Sequence, residues 1–254
     1  MADAADAITL ARFRAADLRV SRKPDRTPVT DADTATEDAL RARLARQRPD
    51  DVVLGEERGG SGATGRGWVI DPIDGTKNYS RGVPVWATLI ALTEGGRPVV
   101  GVVSAPALGR RWWASAGGGA HAADNGGTRE GGVRRISVSG VSELADASLS
   151  TTELSTWDER GHLDRYLELA SRCWMVRAWG DFWQHMLVAE GAIDIGIDGE
   201  ANAWDLAPVQ LIVTEAGGRF TDLDGRDRFD GGSGLSSNGR LHDTALAILG
   251  GPRS

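Results

Sequence analysis

Cys173 is the single cysteine in 254 residues, so the chain closes no internal disulfide and suits a reducing compartment. It reads as a core filler rather than a nucleophile. Histidine is also scarce. The four, at 121, 162, 185 and 242, are scattered and lack the spacing of a zinc site. His185, on an expected helix, is read as structural rather than catalytic. No apolar run nears the ~20 residues of a membrane span. The first residues, with Asp3 and Asp6, lack the basic start and apolar core of a secretion signal. Together these absences lead to the expectation of a cytoplasmic protein without membrane partners. A basic excess is missing too: 29 Lys and Arg face 36 Asp and Glu, a formal charge of -7. That balance argues against a nucleic-acid partner, because base-stacking aromatics need a basic groove beside them. The nine tryptophans fall mostly in apolar segments and read as core. With 41% hydrophobic and 26% charged residues, what remains is an ordinary globular composition.

Periodicity gives the elements. A helix is expected from Ala5 to Asp17, then a polar connection from Ser21 to Thr30. A second helix runs to Gln47, with Thr34 and Glu37 in capping-box spacing. Strands follow at Val52–Leu54, Trp68–Ile70, Trp86–Thr93, Val99–Ser104, Trp112–Ser115 and Arg135–Val138, with Gly95-Gly96 as a hairpin turn. Arg58–Gly67 and Gly117–Gly132 read as Gly-rich loops. The second half reads as strand (Ala147–Thr151), helix (Gly161–Arg172), helix (Asp181–Glu190), strand (Ile193–Ile197) and helix (Trp204–Ala216). Gly217-Gly218 stops that last helix. A hairpin at Phe220–Leu223, a strand near Leu235 and a helix from His242 complete the chain. A soft boundary near Gly140 separates an expected subdomain of residues 1–140 from one of 141–254.

The most informative run is Trp68-Val69-Ile70-Asp71-Pro72-Ile73-Asp74-Gly75-Thr76. An apolar strand delivers two carboxylates, three residues apart, into a turn. Proline is expected to stop the strand, and glycine lets backbone approach a phosphate closely. Hard oxygen donors of this kind favour Mg²⁺ or Mn²⁺. Other acids stand at element ends: Asp33, Glu56-Glu57 and Asp205. Each has a plain alternative, Asp33 as a helix cap, Asp205 as a first-turn acid favoured by the helix dipole and the glutamates as loop acids.

The joint pattern resembles the inositol monophosphatase family of metal-dependent phosphomonoesterases. Its Asp-Pro-hydrophobic-Asp-Gly-Thr block stands at Asp71–Thr76. Its Trp-Asp block followed by an apolar helix and Gly-Gly runs from Trp204-Asp205 to Gly217-Gly218. Gly55-Glu56-Glu57 and Val29-Thr30-Asp31-Ala32-Asp33 match two further blocks, in the family's order along the chain. The resemblance implies a layered α/β (α+β) fold, a sugar-phosphatase-like alternating α/β/α/β/α sandwich. It implies a first Mg²⁺ on Glu56, Asp71 and the Ile73 carbonyl, and a second on Asp71, Asp74 and Asp205, with Glu57 acting through a water. Gly75 and Thr76 would bind phosphate, and Asp33 and the Thr76 hydroxyl would orient the attacking water. Asp33, Thr76 and Glu56 thus form the implied catalytic set. A homodimer and inhibition by Li⁺ are implied as well.

The substrate rests on weaker residues. Asp198, seven before Asp205, matches the position that reads the leaving group in this family. Gly180-Asp181 resembles bacterial histidinol-phosphate phosphatases of the fold, as do Arg81–Trp86, Ser104–Ala107 and Arg111–Trp113. Acids at Asp181, Asp198 and Glu200 suit a cationic amine and imidazole, although Asp181 reads equally as a helix cap. Arg110-Arg111, the one basic pair that could take a second phosphate, reads as a surface feature. The expected reaction is Mg²⁺-dependent hydrolysis of a small phosphorylated metabolite, histidinol phosphate first. Inositol 1-phosphate or another small phosphate monoester, 3′-phosphoadenosine phosphate among them, is the alternative. A catalytically silent metal-binding scaffold is the rival from another class.

Overall fold

Among the described residues, a seven-stranded and a five-stranded β-sheet alternate with three layers of helix. The computed structural model describes residues 1–24, 26–60, 65–124 and 132–250. The first part runs α1 (Ala2–Arg12), β1 (Val20–Arg22), β2 (Pro28–Thr30), α2 (Asp31–Gln47), β3 (Val52–Gly55), β4 (Arg66–Asp74), α3 (Thr76–Ser80), β5 (Ala87–Glu94), β6 (Arg97–Ala105), β7 (Arg110–Ser115), β8 (Gly119–Asp124) and β9 (Val133–Arg135). The second runs β10 (Ser148–Thr151), α4 (Ser155–Glu159), α5 (Leu163–Arg172), β11 (Met175–Arg177), α6 (Asp181–Ala189), β12 (Ile195–Asp198), α7 (Ala203–Glu215), β13 (Arg219–Thr221), β14 (Gly234–Ser237) and α8 (His242–Gly250).

Strands β3 to β9 form a seven-stranded sheet in chain order, and β11-β10-β12-β14-β13 form a five-stranded one. Helices α1 and α2 cover one face of the first sheet, where Leu40 and Leu44 meet Ile70 and Ile90. Helices α6 and α7 fill the space between the sheets. There Val69, Leu89, Val103 and Trp112 pack against Met186, Val209 and Ile212. Helices α5 and α8 cover the outer face of the second sheet around Leu149, Ile197 and Leu235. The expected α/β/α/β/α sandwich is therefore observed. Among the described residues, no helix is long and apolar enough to cross a membrane.

Successive residues of β4 serve opposite faces, Val69 toward α7 and Ile70 toward α2, as the two-residue pleat requires. Helix α7 comes close to the sheet at Gly101 of β6. A Cβ there would lie 3.0 Å from the Pro208 carbonyl oxygen and 3.1 Å from its Cα.

Several local expectations are corrected. Proline does not stop β4: the strand continues to Asp74, with a register shift between Asp71 and Asp74. At such a bulge Pro72 forfeits no ladder bond, and its carbonyl accepts the Thr88 hydroxyl at 2.8 Å. The connection before α2 folds as the hairpin β1–β2, and the segment read as a Gly-rich loop contains β8. Parts of both Gly-rich loops, 61–64 and 125–131, lie outside the described residues. The second half gains α4 and β11. The capping box of α2 uses Thr30 with Asp33, not Thr34 with Glu37.

The tryptophan reading needs amending too. Trp86, Trp112 and Trp157 are fully buried, but Trp174 is exposed. Cys173 is half-buried against the second core, and burial pushes its thiol up to about 11, which keeps it protonated and unreactive.

Candidate active site

The end of β4 carries the first pair of acids into the space beside α6 and α7. Asp71 Oδ1 accepts the Ile73 N–H at 2.9 Å. Asp74 Oδ2 accepts the Phe182 N–H, at the start of α6, at 2.6 Å. Asp205 sits in the first turn of α7, where its Oδ2 accepts the Asn202 N–H at 2.7 Å. One oxygen from each of these three carboxylates lies within 4.8 Å of the others. Glu56, tied to β4 by its N–H to the Ile70 carbonyl at 3.2 Å, brings its charge close enough to raise Asp71.

Their electrostatics follow from this crowding. Burial, then the charges of Glu56, Asp74 and Asp205, drives Asp71 well above the usual carboxylate range. Burial with Asp181 and Asp205 does the same to Asp74. Burial raises Asp205 to about 7, against the pull of the Asn202 N–H. Like charges held this close favour protons or a cation.

Asp33 and Thr76 meet across the chain. Thr30 donates its N–H at 2.8 Å and its hydroxyl at 2.5 Å to Asp33 Oδ2. Oδ1 remains for the Thr76 hydroxyl, 3.0 Å away, which also lies 2.9 Å from the Ile73 carbonyl oxygen. The helix-start alternative and the site reading are thus served by different oxygens of one side chain. Burial outweighs these donors and raises the Asp33 pKa. Gly75, the residue before α3, has φ +83°, and a Cβ there would stand 3.0 Å from the Val85 carbonyl oxygen. That left-handed turn admits glycine at little cost.

Next to the carboxylates lies a cavity of about 60 Å³ lined by Asp74, Thr152, Asp181, Phe182, His185, Asp198, Glu200, Ala201 and Asp205. It brings the three substrate-side acids of the sequence reading together and joins them to two of the clustered carboxylates. Asp181 has φ +48°, a strained value for a residue with a side chain. Its Oδ2 accepts Asn78 Nδ2 at 3.1 Å, and burial with the Asp198 charge lifts it to about 6. Asp198 takes the Thr152 hydroxyl and Gln184 Nε2 on Oδ1, and faces His185 Nε2 at 2.6 Å on Oδ2.

Sequence reasoning missed several residues that hold this arrangement. Lys23, on the β1–β2 connection, reaches Glu56 at 2.7 Å and Glu57 at 2.8 Å. Burial works against the ammonium, but the two glutamates outweigh it and hold Lys23 protonated. Burial raises Glu57 to about 7 against that lysine. The Glu37 carboxylate accepts the N–H groups of Glu57 at 2.7 Å and Arg58 at 3.2 Å, and pairs with Arg41. No sequence signal pointed to Lys23, because its pairing with the two glutamates is made only by the fold. Arg110 and Arg111 are not free for a second phosphate. Arg110 pairs with Asp124 and Glu190, and Arg111 with Asp3 and Asp6.

A carboxylate cluster at the end of β4 and the start of α7 suits a divalent cation, and with the family and relatives matched below it makes the class a phosphoric monoester hydrolase. The chain belongs to the inositol monophosphatase family, whose model matches residues 1–250. It is 55% identical over 253 residues to a histidinol-phosphatase of Streptomyces coelicolor, covering 98% of this chain and 94% of that one. It is also 55% identical over 250 residues to a histidinol-phosphatase of Mycobacterium tuberculosis, covering 98% and 95%. Among solved structures, an inositol monophosphatase from Zymomonas mobilis superposes with a TM-score of 0.83 at 31% identity, over 98% of this chain and 94% of that one.

Proposed function

We propose that the chain hydrolyses L-histidinol phosphate to L-histidinol and phosphate, using Mg²⁺, with Mn²⁺ as a substitute. The observation that carries this reading is the contact between two acidic features. The cluster of Asp71, Asp74 and Asp205 and the cavity walled by Asp181, Asp198 and Glu200 share Asp74 and Asp205. A phosphate on the first places its leaving group in the second.

The donor set fits a hard divalent ion: it is all oxygen, carries excess negative charge, and holds raised pKa values that a cation would relieve. Glu56, Asp71, the Ile73 carbonyl, Asp74 and Asp205 would hold the metal, with Glu57 acting through water. When bound, such ions neutralise phosphate charge and lower the pKa of water. The chain's own groups do the rest. Asp33 Oδ1 and the Thr76 hydroxyl orient the water, with Asp33 ready to accept a proton. The backbone N–H groups of Gly75 and Thr76 donate to phosphate oxygens. Asp181 and Asp198 draw the cationic leaving group into line through charge-assisted contacts. The family resemblance and the single unreactive cysteine support a homodimer working in the cytoplasm.

The test is phosphate release at saturating Mg²⁺ from histidinol phosphate, inositol 1-phosphate, fructose 1,6-bisphosphate and adenosine 3′,5′-bisphosphate. Histidinol phosphate should lead in kcat/KM by ~100-fold, roughly 2.7 kcal/mol of transition-state discrimination. A lead for inositol 1-phosphate or a bisphosphate overturns the substrate and keeps the metal mechanism. Release from none would identify a silent scaffold.

A further inference from the structure

His185 lies one helical turn after Asp181 on α6, is 1% exposed and contributes to the wall of the acidic cavity. Both ring nitrogens are engaged. Nε2 is 2.6 Å from Asp198 Oδ2, and Nδ1 is 2.6 Å from the hydroxyl oxygen of Ser236 on β14. The Phe220 ring meets the imidazole at an edge-on angle, with centroids 6.5 Å apart. Nε2 acts as donor to the Asp198 carboxylate, which accepts. Asp198 Oδ1 is occupied from the other side by Thr152 and Gln184. Gln184 and His185 of α6, together with Thr152 after β10, therefore converge on one carboxylate of β12, while Ser236 of β14 holds the far side of the imidazole. A ring with both nitrogens committed is poorly placed to shuttle protons for the reaction, so its work is done through Asp198.

We propose that His185 is a specificity-determining positioning residue. Its Nε2–H fixes the bearing of Asp198, so the cavity presents a preset anionic wall to a cationic leaving group. A wall set before binding needs no reorganisation when the substrate arrives, which is the general advantage of preorganised polar groups. The assignment rests on the substrate proposed above. It predicts that loss of the Nε2 donor weakens discrimination between leaving groups, and that loss of the Nδ1 contact alone has a smaller effect.

Two polar variants separate these contacts. In His185→Gln the amide nitrogen reaches roughly the Nε2 position, whereas in His185→Asn it lies nearer Nδ1 and leaves Asp198 Oδ2 without this donor. Each is compared with the unchanged enzyme on histidinol phosphate and on 2-glycerophosphate, a neutral-alcohol ester, at saturating Mg²⁺. The Asn variant should lower the ratio of the two kcat/KM values about tenfold, or ~1.4 kcal/mol, chiefly by raising KM for histidinol phosphate. The Gln variant should stay within about threefold of the original ratio on the same scale. In an Asp198→Asn background the difference between the two should vanish. Equal losses in the two variants, an unchanged ratio in both, or a difference that persists without the Asp198 charge would each overturn the proposal. Should the unchanged enzyme show no preference for histidinol phosphate, the substrate reading falls and takes the His185 assignment with it. A retained preference that ignores His185 removes the assignment alone.

Discussion

Two groups of acids share one cavity yet are held in opposite ways. On the side of β4 and α7, Asp71, Asp74 and Asp205 each receive one backbone N–H and bring a carboxylate oxygen within 4.8 Å of the other two. On the side of β12, Asp198 is surrounded by Thr152, Gln184 and His185. The first group crowds like charge that a cation would relieve. The second has its donors supplied by the protein. The contrast separates the place proposed to load an ion from the place proposed to recognise charge, although both are simply buried aspartates.

Breaking the first group should have the largest effect. Asp71→Asn removes a shared ligand, and a metal contribution of several kcal/mol corresponds to roughly a thousandfold or more in kcat/KM. The fold should persist, because one of the repelling charges disappears with the substitution. Steady-state assays with a thermal melt of the same sample check both halves. Near-normal turnover would remove Asp71 from the metal set.

A smaller effect should come from the second group. Asp181→Asn keeps an acceptor for Asn78 and suits the positive φ, since asparagine tolerates that region better than most residues. It loses only charge. Selectivity for histidinol phosphate over 2-glycerophosphate should fall about tenfold, the order expected for one charge-assisted contact. Equal losses on both esters would take Asp181 out of the leaving-group wall.

The smallest and most diagnostic effect is on stability. Asp205 at about 7 and Asp181 at about 6 bind protons more tightly folded than unfolded, as do Asp71 and Asp74. The metal-free fold therefore loses stability as pH rises from near 4, the unfolded carboxylate value, through about 7. His242, driven down to about 4 by burial, works in the opposite sense below 6.5. It sits among Thr221 and Ser237, away from the carboxylate cluster, so its part cancels when Tm is compared with and without Mg²⁺ at each pH. The gain in Tm from Mg²⁺ over EDTA should grow from pH 5 to pH 8 by roughly 5 °C, on the scale of 2–4 °C per kcal/mol for a chain of this size. A gain that is flat with pH would show that the acids are not what the metal relieves.

The sequence revealed the acids because Asp71 to Thr76 is one uninterrupted run and the other blocks stand on either side of it in the order of the family that they resemble. It concealed their supports because those are tertiary. Thr34 with Glu37 and Thr30 with Asp33 offer almost the same capping pattern. Only the fold shows that Glu37 is drawn instead to the N–H groups of Glu57 and Arg58. Lys23 sits in a polar stretch with no apolar period to mark it as a strand neighbour. Asn78, Thr152 and Gln184 are unremarkable until α3, the end of β10 and α6 bring them to Asp181 and Asp198. Pro72 was misread because the rule that proline ends strands assumes a regular ladder, and a bulge suspends it.

Asp33 and Asp205 have one further consequence. Each uses one oxygen to close the first turn of its helix, so its remaining oxygen moves with that helix as a single rigid part. Helices α2 and α7 lie on opposite faces of the same sheet, with β4 between them. The thickness of that sheet, set where Ile70 meets Leu40 and Val69 meets the α7 side, is thus a spacer that gauges the width of the site. A change of volume at these ordinary aliphatic residues would therefore be felt at the site, although none of them lines the cavity.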